Sequence, residues 1–326
     1  MKTPFLKSMR YALLLFTLWN ATACAHLIYL DQAQNSFNKG ATLENREREN
    51  LGKAGDSWAF DPMAGQEALV NSPEMYYSVA YGQVRKALQR EPKLKKNGVF
   101  STALTIRALC EWKLGDYKNA EESAKESLKA MKSNGQIRLP RDEAIMTALP
   151  GLIKTDQAFD SFMEIKSGAA DEQALTNAQA TADAAKAYYL KFKEKFVLHW
   201  SPEHQKACFE YYDTAYKTPG VNPQTRLYLL IAQLGTANTW LFSHEKMNKI
   251  FERTLIKNNK PRWPQDAEWI KGERQWLEEN LCQHQKESTL LIQTLEDLMR
   301  TLDDKNLAGV AGKWKEFLVI DGLSCQ

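Results

Sequence analysis

The sequence predicts an all-α fold. Glycine is scarce, at 16 of 326 residues, and few segments show the period-two alternation of β-branched residues that a strand requires. Apolar residues instead recur three and four positions apart along most of the chain, which is the period of a helix with one buried face. Because the periodic segments lengthen after residue 170, we expect short hairpin helices first and longer packed helices after them.

Helix start signals divide the chain into elements. Ser72-Pro73-Glu74 and Ser201-Pro202-Glu203 each place a capping Ser before Pro and an acidic residue, an order that favours the first turn of a helix. Asn222-Pro223 and Trp263-Pro264 mark two further starts, and Asn258-Asn259-Lys260-Pro261 is typical of a turn. The predicted helices are 27–51, 73–91, 99–114, 117–133, 141–153, 155–166, 171–198, 202–217, 223–257, 265–301 and 305–319.

The first residues have the organisation of a secretory signal. Three basic residues precede an apolar and aromatic stretch over 11–19, and small residues then lead up to Cys24. The apolar stretch is shorter than the roughly 20 residues that a membrane-spanning helix needs. We therefore expect residues 1–23 to be a removable signal peptide.

The end of this signal resembles a bacterial lipobox. In that family the cysteine after Asn20-Ala21-Thr22-Ala23, here Cys24, becomes the lipidated N-terminus of the mature chain, usually carrying palmitate. The resemblance implies a lipid anchor on the periplasmic side of a bacterial envelope. Ala25 after the cysteine implies delivery to the outer membrane. Two alternatives remain: Ala21-Thr22-Ala23 also fits an ordinary signal peptidase, which would leave a free thiol, and the segment could persist as an uncleaved anchor.

Charge argues against a nucleic-acid partner. Residues 1–23 hold three of the 43 Lys and Arg residues and none of the 40 Asp and Glu residues, so 43 − 3 leaves 40 of each sign after them. Nucleic-acid-binding proteins usually carry a clustered basic excess. A local run, Lys93-Leu94-Lys95-Lys96, is interpreted as a solvated turn near a helix end.

The other cysteines raise the question of pairing. Cys110, Cys208, Cys282 and Cys325 allow three connectivities in an oxidising compartment. Cys325 lies close to the end of the chain and could join the tail to Cys282 or to another helix. Alternatively, Cys110 and Cys208 are small buried apolar residues, which is the commonest role of a free cysteine.

Four predicted helices share a row of small and apolar residues at i, i+4 and i+7. Such a row lies on one helix face, where a small residue lets two backbones approach closely. The rows, some of them partial and some followed by proline, are Ala33, Phe37 and Gly40; Ala80, Val84, Ala87 and Pro92; Ala120 and Ala124; and Ala207, Tyr211 and Pro219.

These rows resemble the second helix of a tetratricopeptide (TPR) repeat. Gly115-Asp116-Tyr117 resembles the turn between the two helices of that repeat, and Ala108 occupies a small position of the helix before it. The resemblance implies an array of TPR-like helical hairpins over 24–138, followed by a region of longer helices over 139–326. The alternative is a generic antiparallel helical bundle.

Motifs of catalysis and cofactor binding are missing from the sequence. It has no P-loop, no Gly-rich dinucleotide turn and no H-E-x-x-H, G-x-S-x-G or C-x-x-C motif. His204 and Cys208 lie four apart, with His199 and Glu203 nearby, a spacing that permits a metal ion but is more often explained by packing. We predict no enzyme activity, no cofactor and no metal.

Aromatic residues are concentrated after residue 235. Most should be buried between long helices, although some could line a groove that binds a peptide or an apolar ligand. Trp269 and Trp276, seven apart, should share a helix face. The set is Trp240, Phe242, Trp263, Trp269, Trp276 and Trp314.

Three functions follow as hypotheses. The first is a lipid-anchored helical-repeat protein that acts as a scaffold or adaptor for envelope protein partners. The second is a binding protein for a small apolar ligand linked to envelope transport, which would need an enclosed apolar cavity of roughly 300 Å³ or more. The third is an enzyme of unrecognised type, which would need polar side chains that converge in one cleft.

Overall fold

The computed structural model describes residues 24–53, 72–163 and 181–301. These residues are almost entirely helical, which confirms the predicted all-α class. A two-residue hairpin, β1 (Ile256–Lys257) and β2 (Lys260–Pro261), forms where a turn was expected, with Asn258 and Asn259 at positive φ between the strands. The described residues fall into two compact units, one ending at Met146 and the other beginning at Thr147.

The first unit begins with a helix of 29 residues, and shorter helices follow it. They are α1 (Ala25–Lys53), α2 (Pro73–Leu88), α3 (Glu91–Lys96), α4 (Phe100–Lys113), α5 (Tyr117–Met131) and the start of α6 (Pro140–Met163).

The helix predicted over 73–91 ends at Leu88 as α2. A separate helix, α3, begins at Glu91. Arg90 leaves the helical conformation at φ −114° and ψ 37°, and Pro92 lies in the first turn of α3. Proline has no backbone N–H, so it is tolerated at a helix start and costly in a helix interior.

Helices α1 and α2, and helices α4 and α5, pack through their small residues. The rows predicted from spacing are buried at Ala33, Gly40, Ala80, Ala87, Ala108, Ala120 and Ala124. Gly40 lies so close to α2 that an added Cβ would be 2.8 Å from the Tyr77 ring and 3.1 Å from the Pro73 carbonyl oxygen. Leu30, Val84, Leu94 and Ile106 fill the core beside these contacts.

Helix α6 corrects the prediction of two helices over 141–153 and 155–166. It runs without a break through Pro150. Leu149 and Ile153 on either side of the proline are fully buried, so tertiary packing offsets the hydrogen bond that Pro150 cannot make.

The second unit contains the two longest helices that the structure describes, of 33 and 35 residues, together with shorter ones. They are α7 (Ala182–Trp200), α8 (Pro202–Tyr216), α9 (Pro223–Leu255) and α10 (Ala267–Thr301), with the remainder of α6 and a 3₁₀ turn over Pro264–Asp266. The first part of the predicted helix 171–198 and all of 305–319 lie outside the described residues. Ser201 and Asn222 cap α8 and α9 through side-chain oxygens that accept the His204 and Thr225 N–H groups.

Aromatic side chains form the largest core of this unit. Trp240 is buried, whereas Trp263, Trp269 and Trp276 are partly buried and pack against the cluster. Trp269 contacts Tyr189 and Trp276 contacts Phe196, so the two tryptophans face the same helix, as their spacing predicts. The side chain of Phe242 and residue Trp314 lie outside the described part of the structure. Among the residues with a described structure, no helix combines the length and the apolar character needed to cross a membrane.

Lysines cover the half-buried tryptophans. Lys186 lies 5.2 Å from the centre of the Trp269 ring, and Lys193 lies 4.2 Å from the Trp276 ring. Lys193 also donates to Glu273 at 2.5 Å. Because ammonium groups cover these rings, the structure favours the packing interpretation of both tryptophans over an open aromatic groove.

Candidate functional site

Cys24, the one residue to which the sequence assigns a modification, directly precedes a folded helix. Its thiol is free and its side chain is exposed. Its carbonyl oxygen accepts hydrogen bonds from the Leu27 and Ile28 N–H groups at 2.9 and 3.2 Å. Cys24 is therefore hydrogen-bonded to the first turn of α1, which begins at the next residue.

A buried histidine joins this helix start to the corner after α3. His26 is 3% exposed, and its Nε2 lies 2.7 Å from Nδ2 of Asn97. The Asn97 amide can donate to Nε2 in the imidazole tautomer that carries its proton on Nδ1. This contact places Cys24 at the same end of the first unit as α3.

Apolar side chains are exposed at this end. Leu27 and Ile28, in the first turn of α1, are 37% and 50% exposed. Ile137 is 49% exposed, and its backbone N–H donates to the Gly98 carbonyl oxygen at 2.8 Å, which holds the segment after α5 beside α3. Gly98 has φ +73°, and an added Cβ would lie 2.8 Å from the Gly135 carbonyl oxygen, so this corner requires glycine.

Basic side chains surround the same corner. Lys93, Lys95 and Lys96 extend into solvent from α3, while Leu94 between them is fully buried. The lysine run predicted as a solvated turn is therefore a short helix whose Leu94 side chain is buried. Lys86 and Arg90 lie over the Tyr29 ring, each 5.8 Å from its centre. We call Lys86, Arg90, Lys93, Lys95 and Lys96 the basic corner.

The second half of α1 is fastened by a carboxylate. The Tyr77 hydroxyl donates to Glu44 Oε2 at 2.6 Å, and Lys113 Nζ donates to Glu44 Oε1 at 2.7 Å. These contacts connect α1 to α2 and α4, so α1 is held in the first unit at its start and again at Glu44.

An open depression of about 520 Å³ lies along α1 and α2. It differs from the enclosed apolar cavity that the ligand-binding hypothesis requires, because it opens to solvent and carries amide, hydroxyl and ammonium groups. Its lining residues are Asn35, Asn38, Lys39, Thr42, Leu43 and Tyr76.

A polar network lies between α4 and α5. Ser123 donates to Glu111, and Tyr81 donates to the same carboxylate at 3.4 Å. Arg107 Nε donates to Ser123 at 2.8 Å and lies 3.7 Å from Glu111. Burial raises the pKa of Glu111, and Ser123 and Arg107 oppose that rise. These partners come from packed helix faces, and they satisfy a carboxylate inside the hairpin.

Two buried histidines in the second unit stack on Trp240. Their ring centres lie 5.2 Å (His244) and 4.2 Å (His284) from that of Trp240. His244 Nε2 donates to the Leu277 carbonyl oxygen at 2.8 Å. Burial lowers the pKa of His244, and burial together with the charge of His244 lowers the pKa of His284 to about 3. Both rings are therefore neutral at pH 7 and act as packed aromatic groups.

In the structure, the residues whose spacing permits a metal ion make other contacts. His199 and His204 meet edge to face at 6.1 Å, and His199 Nε2 lies 3.0 Å from Ser161 Oγ. Cys208 is buried, and burial raises the pKa of its thiol to about 11. Over 24–53, 72–163 and 181–301, no three His, Cys, Asp or Glu side chains gather closely enough to hold a metal ion.

The cysteines divide into free and bonded residues. Cys110 and Cys208 are free and buried, as their apolar interpretation requires. Cys282 is disulfide-bonded. Cys325, which the sequence offers as a partner, lies outside the described residues.

Comparison of the chain with protein-family models, with curated proteins and with solved structures found no match. The lipoprotein and TPR resemblances therefore stay predictions.

Proposed function

We propose that the chain is a lipid-anchored protein of a bacterial envelope, on the periplasmic side and at the outer membrane, whose first unit acts as a TPR-like scaffold or adaptor for protein partners. The observation that carries this proposal is the position of Cys24: the residue that the lipobox resemblance selects is exposed, free and one residue before a packed helix. A lipid there would hold a folded binding unit directly at the membrane.

The packing of the first unit supports the repeat part of the proposal. Helices α4 and α5 form a hairpin around Gly115, which has φ +77°, and Ala108, Ala120 and Ala124 are buried in it. Hairpins that stack through small residues build the extended surfaces with which helical-repeat proteins bind partners.

The open depression on α1 and α2 is the proposed partner contact. Asn35, Asn38, Lys39 and Thr42 follow a helical spacing and so present amide, ammonium and hydroxyl groups along one face of α1. Amide side chains can both donate to and accept from the backbone of an extended peptide. Lys39 adds a positive charge, which favours a partner segment with an acidic residue.

The anchor is tested by mass spectrometry and detergent partitioning of the wild type and Cys24→Ala. We expect the wild type to carry acyl chains on residue 24 and to enter the detergent phase. Cys24→Ala should stay aqueous. A wild-type chain that is unmodified and aqueous would refute the lipoprotein proposal.

The adaptor role is tested by crosslinking in envelopes. Lys39→Glu should abolish a crosslinked protein complex that the wild type forms, and the control Lys118→Glu, which changes the same charge at the exposed start of α5, should retain it. If Lys39→Glu crosslinked as well as the wild type, the assignment of the partner contact to this face of α1 would be wrong. Recovery of a lipid or metabolite with no protein partner would favour the apolar-ligand hypothesis instead.

A further inference from the structure

We propose that the Cys24 end of the first unit is a membrane-docking surface that binds the anionic headgroups of a phospholipid bilayer. The surface comprises the basic corner and the exposed side chains of Leu27, Ile28 and Ile137. Its orientation rests on the proposed lipid attachment at Cys24, whereas headgroup binding can be measured on a chain without lipid.

Separate parts of the chain are fixed together to build this surface. The His26 contact with Asn97 holds the start of α1 against the corner after α3. The segment after α5 is fastened there too, because Gln136 accepts the Phe100 N–H at 3.1 Å and donates to the Lys95 carbonyl oxygen at 3.1 Å. The surface is therefore a product of folding, and no single sequence run contains it.

Its charge is locally unbalanced, although residues 24–326 as a whole contain 40 basic and 40 acidic residues. Against the five basic side chains, α3 supplies one carboxylate, Glu91, which pairs with Lys95 at 2.5 Å. Asp31 is exposed about one turn further along α1, where it accepts from Asn35 at 3.1 Å. Lys93 and Lys96 lie on the solvent side of α3, where they can meet phosphate groups.

Exposed apolar side chains next to lysines favour a bilayer over a soluble polyanion. Interfacial protein surfaces combine apolar groups that enter the headgroup boundary with basic groups that attract anionic lipids. Leu27 and Ile28 lie three and four residues after the proposed acylation site, so acyl chains inserted from Cys24 would bring both side chains to the same boundary.

The test uses the chain from residue 24 onward with Cys24→Ser, which cannot be acylated there. The measurement is cosedimentation with vesicles of phosphatidylglycerol and phosphatidylethanolamine, compared with vesicles of phosphatidylcholine alone. We expect binding to the anionic vesicles that weakens as salt rises, and much weaker binding to phosphatidylcholine.

Charge reversal distinguishes the basic corner from nonspecific attraction. Lys93→Glu with Lys96→Glu should weaken binding at least about 20-fold, because each lysine near an anionic bilayer contributes about fivefold. The control, Lys118→Glu with Lys125→Glu in α5, changes the net charge equally and should retain binding within about twofold. Ile28→Ser should weaken binding severalfold. Circular dichroism and thermal melting of each variant establish that it is folded.

Three outcomes would overturn the proposal: equal binding to both kinds of vesicle, equal loss in the control, or competition by soluble polyglutamate as strong as that by vesicles. The last would assign the surface to an acidic protein. These outcomes leave the acylation result untouched. Conversely, an unacylated wild type that still binds anionic vesicles would refute the anchor and retain the docking surface.

Discussion

At the scale of single residues, burial decides which ionisable groups keep their ordinary chemistry. The histidines stacked on Trp240 have a lowered pKa because their charged forms are desolvated, and Glu111 has a raised pKa for the same reason. In both cases burial favours the neutral form. These groups are therefore sources of pH-dependent stability.

The pH dependence of His284 has a definite sign. Its folded-state pKa is below the unfolded value of about 6.5, so the unfolded state takes up the proton first and stability falls as the pH falls below about 6.5. Replacing the ring by His284→Gln should reduce the stability lost between pH 7 and pH 5 by about 2 kcal/mol. Urea unfolding at the two pH values measures this loss. His199→Gln, at a less buried ring, should change it less, and equal effects would contradict the assignment to burial.

Spacing predicted some residue contacts and missed others. The separation of seven between Trp269 and Trp276 was enough to place both on one face. Nothing in the local sequence indicated that Lys186 and Lys193 would cover them, because those lysines are about 80 residues away and are brought there by packing of α7 on α10.

At the scale of helices, local signals predicted most starts, and tertiary packing decided the exceptions. Ser72, Ser201 and Asn222 all cap helices through their side chains, as their positions before proline predict. Pro150 shows the limit of such signals, because α6 continues through it where its flanks are buried.

Replacement by alanine should have opposite effects on stability at two glycines in neighbouring helices. Gly40→Ala should lower the free energy of unfolding by about 1–3 kcal/mol, because the new methyl group would overlap the buried Tyr77 ring. Gly82→Ala, in α2, meets nothing within 4 Å and should raise it by about 0.5–1 kcal/mol through better helix propensity. Chemical denaturation of both variants tests the pair, and a stabilised Gly40→Ala would mean that α1 and α2 are packed less closely than described.

At the scale of the whole molecule, one part of the candidate site could be predicted from the sequence. The other part forms only when segments that are distant in the sequence pack together. Cys24 could be selected as a candidate from the sequence, because the signal that it resembles is local. The basic corner could not be, since Lys93, Lys95 and Lys96 look like an ordinary solvated run until α1 and the Ile137 segment are placed beside them.

The bonded state of Cys282 predicts that non-reducing peptide mapping recovers this cysteine in a disulfide-linked peptide. Reduction should lower the free energy of unfolding by about 2–4 kcal/mol, because a disulfide restricts the unfolded chain. Recovery of Cys282 as a free thiol before reduction would contradict this.

Helix α1 begins one residue after Cys24 and contains 29 residues, which at about 1.5 Å per residue span about 44 Å. If Cys24 carries acyl chains, no flexible linker separates the bilayer from the folded unit. A tilt of α1 by a few degrees about the headgroups would then move the far end of the helix by several ångströms. The reach of the bound unit would be set by helix orientation, and only partners that come to the membrane at a matching height could engage it.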